Sequence, residues 1–203
     1  MAKISWLILL LTLLLMAILL SGCPKKVEIP PEKPPYESPI LKVLDAFSSA
    51  ESLRARASIR INMVRGGEEN NFLLNGFILY QRPDKLRILG YHPLGAGLFD
   101  ALYRNGEFFL LSPLQKRAYV GEVSEFEDMI RKAEMRTTIE KTEGRDIPNR
   151  ILFAVEKKEI HVEIKLKEVV LNSFLPEDSF QWKVPEGIEV KPLNRLLKEK
   201  KAR

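Results

Sequence analysis

The chain has 203 residues, of which 45% are apolar and 29% are charged, and it contains one cysteine and two histidines. This length fits one domain with terminal tails. A single cysteine excludes an internal disulfide, and two histidines leave too few ligands for a Cys- or His-rich metal site. The formal charge of +5 lies in residues 191–203, where six basic residues oppose one acidic residue. The rest of the chain is neutral overall, so the charge describes a basic tail and predicts no nucleic-acid partner.

The N-terminus is typical of an exported chain. An uncharged apolar run covers residues 4–20 and ends in Leu20, Ser21, Gly22 and Cys23. Such a run followed by small residues and a cysteine indicates a signal segment with a lipid-attachment site. The tetrad resembles the bacterial lipobox, which implies cleavage before Cys23 and a diacylglyceryl group on its sulfur. The alternative is an uncleaved transmembrane helix, for which 17 residues lie at the lower limit of length.

Four segments follow from this interpretation. They are a lipoprotein signal peptide (1–22), a lipidated cysteine with a proline-rich tether (23–38), a folded domain (39–192) and a basic C-terminal tail (193–203). Because each buried methylene contributes about 0.8 kcal/mol, the two or three acyl chains of a lipoprotein anchor it without a transmembrane element. The prolines predict an extended, semi-rigid tether. The tail is either a solvated end or a contact for anionic headgroups.

The first half of the folded domain is predicted to be a helix and a long hairpin. Ser38 is a suitable N-cap before Pro39, and apolar residues follow at helical spacing. Apolar and polar residues then alternate over residues 57–63, as in a half-buried antiparallel strand. The segment from Gly66 to Asn71 predicts a hairpin loop, and residues 72–80 predict a strand that is apolar on both faces.

The second half is predicted to be mainly β-strands as well. Residues 92–95 form a turn with proline in its second and glycine in its fourth position, and Asn-Gly at 105–106 is a strong hairpin signal. Ser124 and Glu127 predict a capping box at the start of a short amphipathic helix. Alternation over residues 160–166 predicts a strand with one solvated face. We therefore expect a mainly β (α+β) fold, in which one curved antiparallel sheet wraps around a central space and does not pack on a second sheet as in a sandwich.

Several segments make a family resemblance recognisable. The stretches GFILYQRPDKLR (76–87), NGEFFLLSPLQKRAYV (105–120) and FQWKVPEGIEV (180–190) resemble the LolA/LolB lipoprotein-localisation family. The stretches YHPLGAGLF (91–99) and SEFEDMI (124–130) are most similar to the LolB branch. The resemblance implies a half-barrel of antiparallel strands, covered by a few short helices around an apolar cavity.

The resemblance also implies a function without catalysis, metal or other cofactor. LolB-like proteins accept acylated lipoproteins from a LolA-like periplasmic carrier, hold their acyl chains in the cavity and help to insert them in the outer membrane. Two other roles remain open, namely an envelope scaffold that holds a protein partner and a binder of free lipid. Pro24 follows Cys23 in place of the aspartate that favours inner-membrane retention in enteric bacteria. We therefore expect a lipid-anchored protein of the outer membrane that faces the periplasm.

The predicted acyl-binding residues lie on two neighbouring strands. They are Ile59, Ile61, Met63, Ile78, Tyr80 and Arg82. Arg82 matches the arginine before the proline of the R-P motif, which in the carrier branch bonds toward the helical lid. The alternative is a solvated arginine at a strand end. The family often places more lid helix where this chain has the polar stretch 136–150.

The predicted membrane-insertion loop is the turn that contains Pro93, Leu94 and Gly95. In the LolB branch the leucine of this turn is implicated in the insertion of cargo. The alternative is an ordinary turn in which Leu94 folds back on Leu98 or on the rim of the barrel. His92 beside this turn and His161 on a solvated strand face are interpreted as surface residues and not as ligands or bases.

Overall fold

A computed structural model describes residues 37–198 of the chain. The predicted signal peptide, Cys23, the tether up to residue 36 and residues 199–203 of the tail lie outside the described residues. The described elements are α1 (Pro39–Phe47), β1 (Ser52–Arg65), β2 (Glu68–Gln81), β3 (Lys85–Tyr91), β4 (Gly97–Arg104), β5 (Glu107–Ser112), β6 (Arg117–Glu122), α2 (Val123–Lys132), β7 (Met135–Lys141), β8 (Pro148–Val155), β9 (Ile160–Leu171), β10 (Glu189–Pro192) and α3 (Arg195–Lys198). Within this part of the chain, every helix is too short or too polar to cross a membrane.

All ten strands form one sheet in the order β10-β6-β5-β4-β3-β2-β1-β9-β8-β7. Strands β1 to β6 follow one another as an antiparallel meander, and β9 pairs with the other edge of β1. Only β10 is parallel to its neighbour, β6, among the described strands. The sheet is open, because its edge strands β7 and β10 do not pair. The prediction of a mainly β fold built on one extended antiparallel sheet is confirmed.

Local sequence signals place the first helix and the tight turns. The Ser38 hydroxyl oxygen accepts a hydrogen bond from the amide of Leu41 at 3.2 Å, and Pro39 occupies the first helical turn. Such a cap satisfies one of the amides that lack a partner at a helix start. Asn105 and Gly106 have φ values of 49° and 79°, as a two-residue hairpin turn requires. The predicted helix start and this hairpin are thus present.

The loop predicted between Gly66 and Asn71 is shorter than expected. Strand β2 begins at Glu68, which pairs with Arg65, so only two residues form the turn. The hairpin extends beyond the end of β3, where Asn75 pairs with Tyr91. The tip of the hairpin is exposed, so its polar side chains remain in water and need no buried partners. The backbone hydrogen bonds of the two strands can therefore continue to the turn.

The predicted capping box at Ser124 is wrong. Helix α2 begins one residue earlier, at Val123, whose amide donates to the carbonyl of Gly106 at 2.8 Å. Ser124 therefore lies inside the first turn, and its hydroxyl donates to the Glu122 carboxylate at 3.2 Å.

The polar stretch 136–150 contains two strand segments that the sequence pattern did not predict. Strands β7 and β8 form a hairpin at the end of the sheet, in which Ile139 pairs with Ile151. Their outward residues are charged and pair with each other, as Arg150 and Glu140 do at 3.1 Å. Charged residues on one face hid the alternation of apolar residues on the other.

The two faces of the sheet are covered differently. We call the face under α1 and α2 the concave face. Phe47 of α1 contacts Tyr80 at 5.6 Å between ring centroids, and Phe126 of α2 stacks on Phe108 at 4.1 Å. These contacts belong to the main apolar core of the domain.

The opposite, convex face is covered over β2 to β6 by the segment that follows β9. Phe180 and Trp182 of this segment pack with Leu102 and Phe109 in a second apolar cluster. Arg87 donates to both carboxylate oxygens of Asp100, at 2.9 and 2.6 Å. Arg87 and Arg104 also donate to carbonyl groups of the covering segment, at 2.7 and 2.9 Å. The C-terminal segment is therefore fixed by both apolar and polar contacts.

Candidate functional site: an apolar cavity under two helices

A cavity of about 240 Å³ lies between the concave face and the two helices. Its lining is Pro39, Ile40, Val43, Leu86, Ile88, Ala101, Tyr103, Phe108, Phe126, Met135, Phe153 and Val162. The strand residues come from β3 to β5 on one side and from β7 to β9 on the other, which are far apart in the order of strands. The sheet must therefore curve around the cavity.

Helices α1 and α2 form the cover of the cavity. Pro39, Ile40 and Val43 line it from α1, and Phe126 lines it from α2. The Ser38 hydroxyl, which caps α1, also donates a hydrogen bond to the Glu127 carboxylate on α2. The cap of the first helix is thus connected directly to the second helix.

The lining carries one polar side-chain group, the phenol of Tyr103. Burial raises the pKa of this phenol, and the carboxylates of Asp84 and Glu127 add to the effect, while a hydrogen bond with the backbone of Gly106 opposes it. The phenol therefore stays neutral at physiological pH. In the described part of the chain, no three His, Cys, Asp or Glu residues are grouped so as to hold a metal. The lining is suited to contact with hydrocarbon.

The six predicted acyl-binding residues are not among the residues that line this cavity. Ile59, Ile78 and Tyr80 are almost completely buried in the main core, where Phe47 of α1 contacts Tyr80. Ile61 is half-buried at the margin of the same core. The open space lies farther along the curve, over other strands.

Met63 and Arg82 lie away from the apolar cavity. Met63 borders a second cavity of about 430 Å³ near the tip of the β1–β2 hairpin, beside Glu69, Glu159 and His161. Arg82 follows the end of β2, and its guanidinium pairs with the Glu51 carboxylate at 3.0 Å. Its side chain is 52% exposed, which agrees with the alternative of a solvated strand-end arginine.

The turn predicted for membrane insertion projects from the sheet. The amide of Gly95 donates to the carbonyl of His92 at 2.7 Å, which closes a turn with Pro93 in its second position. Leu94 is 90% exposed, so it does not fold back on Leu98. Pro93 and Gly95 are also exposed. Leu94 thus projects into solvent, as the predicted membrane-insertion loop requires, and its role in insertion remains a prediction.

Sequence reasoning missed the lining residues of β3 to β5 and of β7 to β9. Ile88 and Phe153 sit on different halves of the sheet, and no local pattern predicts that they face the same space. One signal was present, because residues 151–155 form a continuous apolar run that is typical of a buried strand.

No family model and no curated protein matches the chain, but solved structures do. An uncharacterized conserved protein from Thermus thermophilus is 12% identical, with a TM-score of 0.44 over 75% of this chain and 98% of that one. A LolA superfamily protein from Nitrosomonas europaea is 8% identical, with a TM-score of 0.43 over 72% and 99% of the two chains. A putative outer membrane lipoprotein-sorting protein domain from Vibrio parahaemolyticus is 13% identical, with a TM-score of 0.35 over 70% and 97%.

Proposed function

We propose that this domain binds the acyl chains of lipoproteins, or of lipids, in the cavity under α1 and α2. The observation that carries the proposal is the lining itself, in which every residue except Tyr103 is fully apolar. An acyl chain leaves water for such a site with a favourable free energy of about 0.8 kcal/mol per methylene. No covalent step is needed to hold or to release it.

The size of the cavity indicates that binding requires a movement of the helices. Its volume of about 240 Å³ is below the range of about 300–1,000 Å³ that is usual for ligand sites. Separation of α1 from α2 enlarges it and breaks the hydrogen bond between Ser38 and Glu127. We therefore assign the described conformation to a closed state of the cavity.

The finer proposal is a LolB-like acceptor of the bacterial envelope. Cys23 would carry the lipid anchor, a LolA-like carrier would deliver acylated lipoproteins, and the Leu94 turn would contact the outer membrane during insertion. The support for these steps is the lipobox resemblance of residues 20–23, the LolB-like segments of the sequence and the exposure of Leu94.

Native mass spectrometry of the mature chain with Cys23→Ser tests acyl binding. The protein is incubated with a triacylated lipoprotein and with its unacylated form, and we expect capture of the acylated form only. Ala101→Trp places a large side chain in the cavity and should reduce capture at least about tenfold. Ala154→Trp is the matched control, because Ala154 neighbours the lining residue Phe153 on β8 and faces the opposite side of the sheet.

Equal capture by the Ala101 and Ala154 variants would contradict binding in this cavity. No capture of any lipid by the parent protein would instead favour a scaffold with a protein partner. Leu94→Glu separates capture from delivery. We expect it to leave capture unchanged and to block transfer of the cargo into liposomes.

A further inference from the structure

A second Pro-Leu turn lies beside the Leu94 turn. Pro113 and Leu114 begin the connection between β5 and β6, just as Pro93 and Leu94 lie in the connection between β3 and β4. Leu114 is 70% exposed, although its turn is short and ordered by hydrogen bonds. The β3–β4 and β5–β6 connections of the meander thus each present an exposed leucine that directly follows a proline.

Both turns are at the same end of the sheet. Strands β3 and β5 are each antiparallel to β4, so the connections that follow them leave the sheet on the same side. A Cβ atom on Gly97 would lie 3.9 Å from Cγ of Pro113, which places the base of one turn against the other. Two strand spacings separate the turns, a distance of roughly 10 Å.

The backbone of both turns is already hydrogen-bonded internally. The amide of Leu94 donates to Nδ1 of His92 at 3.2 Å, and the amide of His92 donates to the carbonyl of Ala96 at 2.8 Å. The amide of Lys116 donates to the carbonyl of Pro113 at 3.0 Å. The prolines have no amide proton to satisfy. Entry into an apolar medium therefore leaves few backbone donors without a partner.

The charged residues of the two turns themselves have one sign, and one acidic residue, Glu189 of β10, lies opposite Arg117 in the sheet. Residues 91–98 carry no charged side chain, and residues 112–117 carry Lys116 and Arg117 without an acidic residue. Lys116 is exposed and directly follows the turn that presents Leu114. Apolar tips with adjacent cations match a bilayer surface, where acyl chains lie beneath anionic phosphates.

We propose that the Pro93-Leu94 and Pro113-Leu114 turns form one bilayer-contacting surface. Both leucines enter the acyl region and Lys116 pairs with anionic headgroups. Two points of contact fix the orientation of the sheet relative to the membrane, which a single leucine does not. The proposal rests on the membrane location given above but not on acyl binding in the cavity, so each can fail without the other.

Fluorescence quenching by brominated lipids tests this surface in the full lipidated chain. Tryptophan is introduced by Leu94→Trp, Leu114→Trp or Phe174→Trp in vesicles of phosphatidylethanolamine and phosphatidylglycerol. Phe174 is the matched control, because it is 89% exposed and follows Asn172, whose amide bonds Ser52 at the opposite end of the sheet. We expect the added fluorescence at positions 94 and 114 to fall at least about twofold with brominated acyl chains, and that at 174 to stay unchanged.

Quenching at position 114 no greater than at position 174 would overturn the proposal, whether or not position 94 is quenched. Lys116→Glu gives an independent test that keeps both leucines. It should reduce quenching at position 94 in vesicles with phosphatidylglycerol but not in neutral phosphatidylcholine vesicles. No difference between the two kinds of vesicle would exclude the role of Lys116. Circular dichroism checks that each variant is folded.

Discussion

The apolar residues on the two faces of the sheet are covered in different ways. On the convex face, the chain covers its own apolar residues with the segment around Phe180, which is 3% exposed, and fixes that segment through Arg87 and Arg104. On the concave face, two short helices cover the sheet but leave a space lined by hydrocarbon. This chain therefore covers apolar residues of the convex face with a segment of its own. The cavity is therefore a property of the concave face and not a sign of a poorly packed domain.

The largest expected effect compares the same substitution on the two faces. Phe180→Ala on the filled face should lower the free energy of unfolding by about 3–5 kcal/mol, since it removes a buried ring. Phe126→Ala at the cavity should cost no more than about 2 kcal/mol, because that ring is half-buried and borders empty space. Urea denaturation measures both values. Equal losses would show that the concave face is as tightly packed as the convex one.

A smaller effect is expected at the ion pair under the covering segment. Arg87→Ala should cost about 2–3 kcal/mol, because it leaves the Asp100 carboxylate mostly buried without its bidentate partner. Arg82→Ala is the control, since Arg82 and Glu51 are both more than half exposed. Arg82→Ala should lower the free energy of unfolding by no more than about 1 kcal/mol. Chemical denaturation of both variants checks this order, and an equal loss in the two would contradict it.

The helical cover should respond more weakly. Ser38→Ala removes the N-cap of α1 and its hydrogen bond to Glu127, which should cost about 1 kcal/mol and increase amide exchange in α1. Ser124→Ala is the matched control, because the Ser124 hydroxyl bonds the nearby Glu122 carboxylate and caps no helix. Hydrogen exchange followed by mass spectrometry distinguishes them. If the α1 amides exchanged faster in the Ser124 variant than in the Ser38 variant, the role of Ser38 as the N-cap of α1 would be contradicted.

The smallest effect concerns the part of the convex face that carries charges. Burial opposes ionisation of Glu163, but Lys165 and Arg150 outweigh it and hold the pKa of its carboxyl below the usual 4.5. Its contribution to stability is therefore present at neutral pH and is lost as the pH falls below 4.5. Glu163→Gln should lower the free energy of unfolding by about 1 kcal/mol or less at pH 7. It should also make the loss of stability at acidic pH smaller. Unfolding curves at several pH values test this, and an unchanged acid dependence would contradict it.

The parts of the fold that depend on neighbouring residues were predictable from the sequence. The cap at Ser38 and the Asn105-Gly106 turn follow from the conformations that one or two residues prefer. Ser124 shows the limit of such signals. It has the right spacing for a cap, but a hydrogen bond from Val123 to the preceding hairpin starts the helix earlier.

The cavity lining depended on contacts that the sequence does not contain locally. Strand alternation places Ile78 and Tyr80 on one face of β2, but it did not indicate that both are buried in the core, where Phe47 of α1 contacts Tyr80, and that the cavity lies elsewhere. That outcome depends on the curvature of the whole sheet, which brings β8 toward β3. The exposure of Leu94 was more accessible to sequence reasoning, because a side chain at the tip of a short turn between two strands has little to pack against.

Strand β9 completes the central part of the sheet late in synthesis. This strand pairs Leu171 with Leu53, so one edge of β1 stays uncovered until most of the domain has been made. The β1 to β6 meander can form from local contacts, but its inner edge then exposes a long row of unpaired amides and carbonyls. We expect an N-terminal fragment that ends before residue 160 to pair with other chains and aggregate. A chain that crosses a membrane from its N-terminus would therefore need protection until β9 emerges.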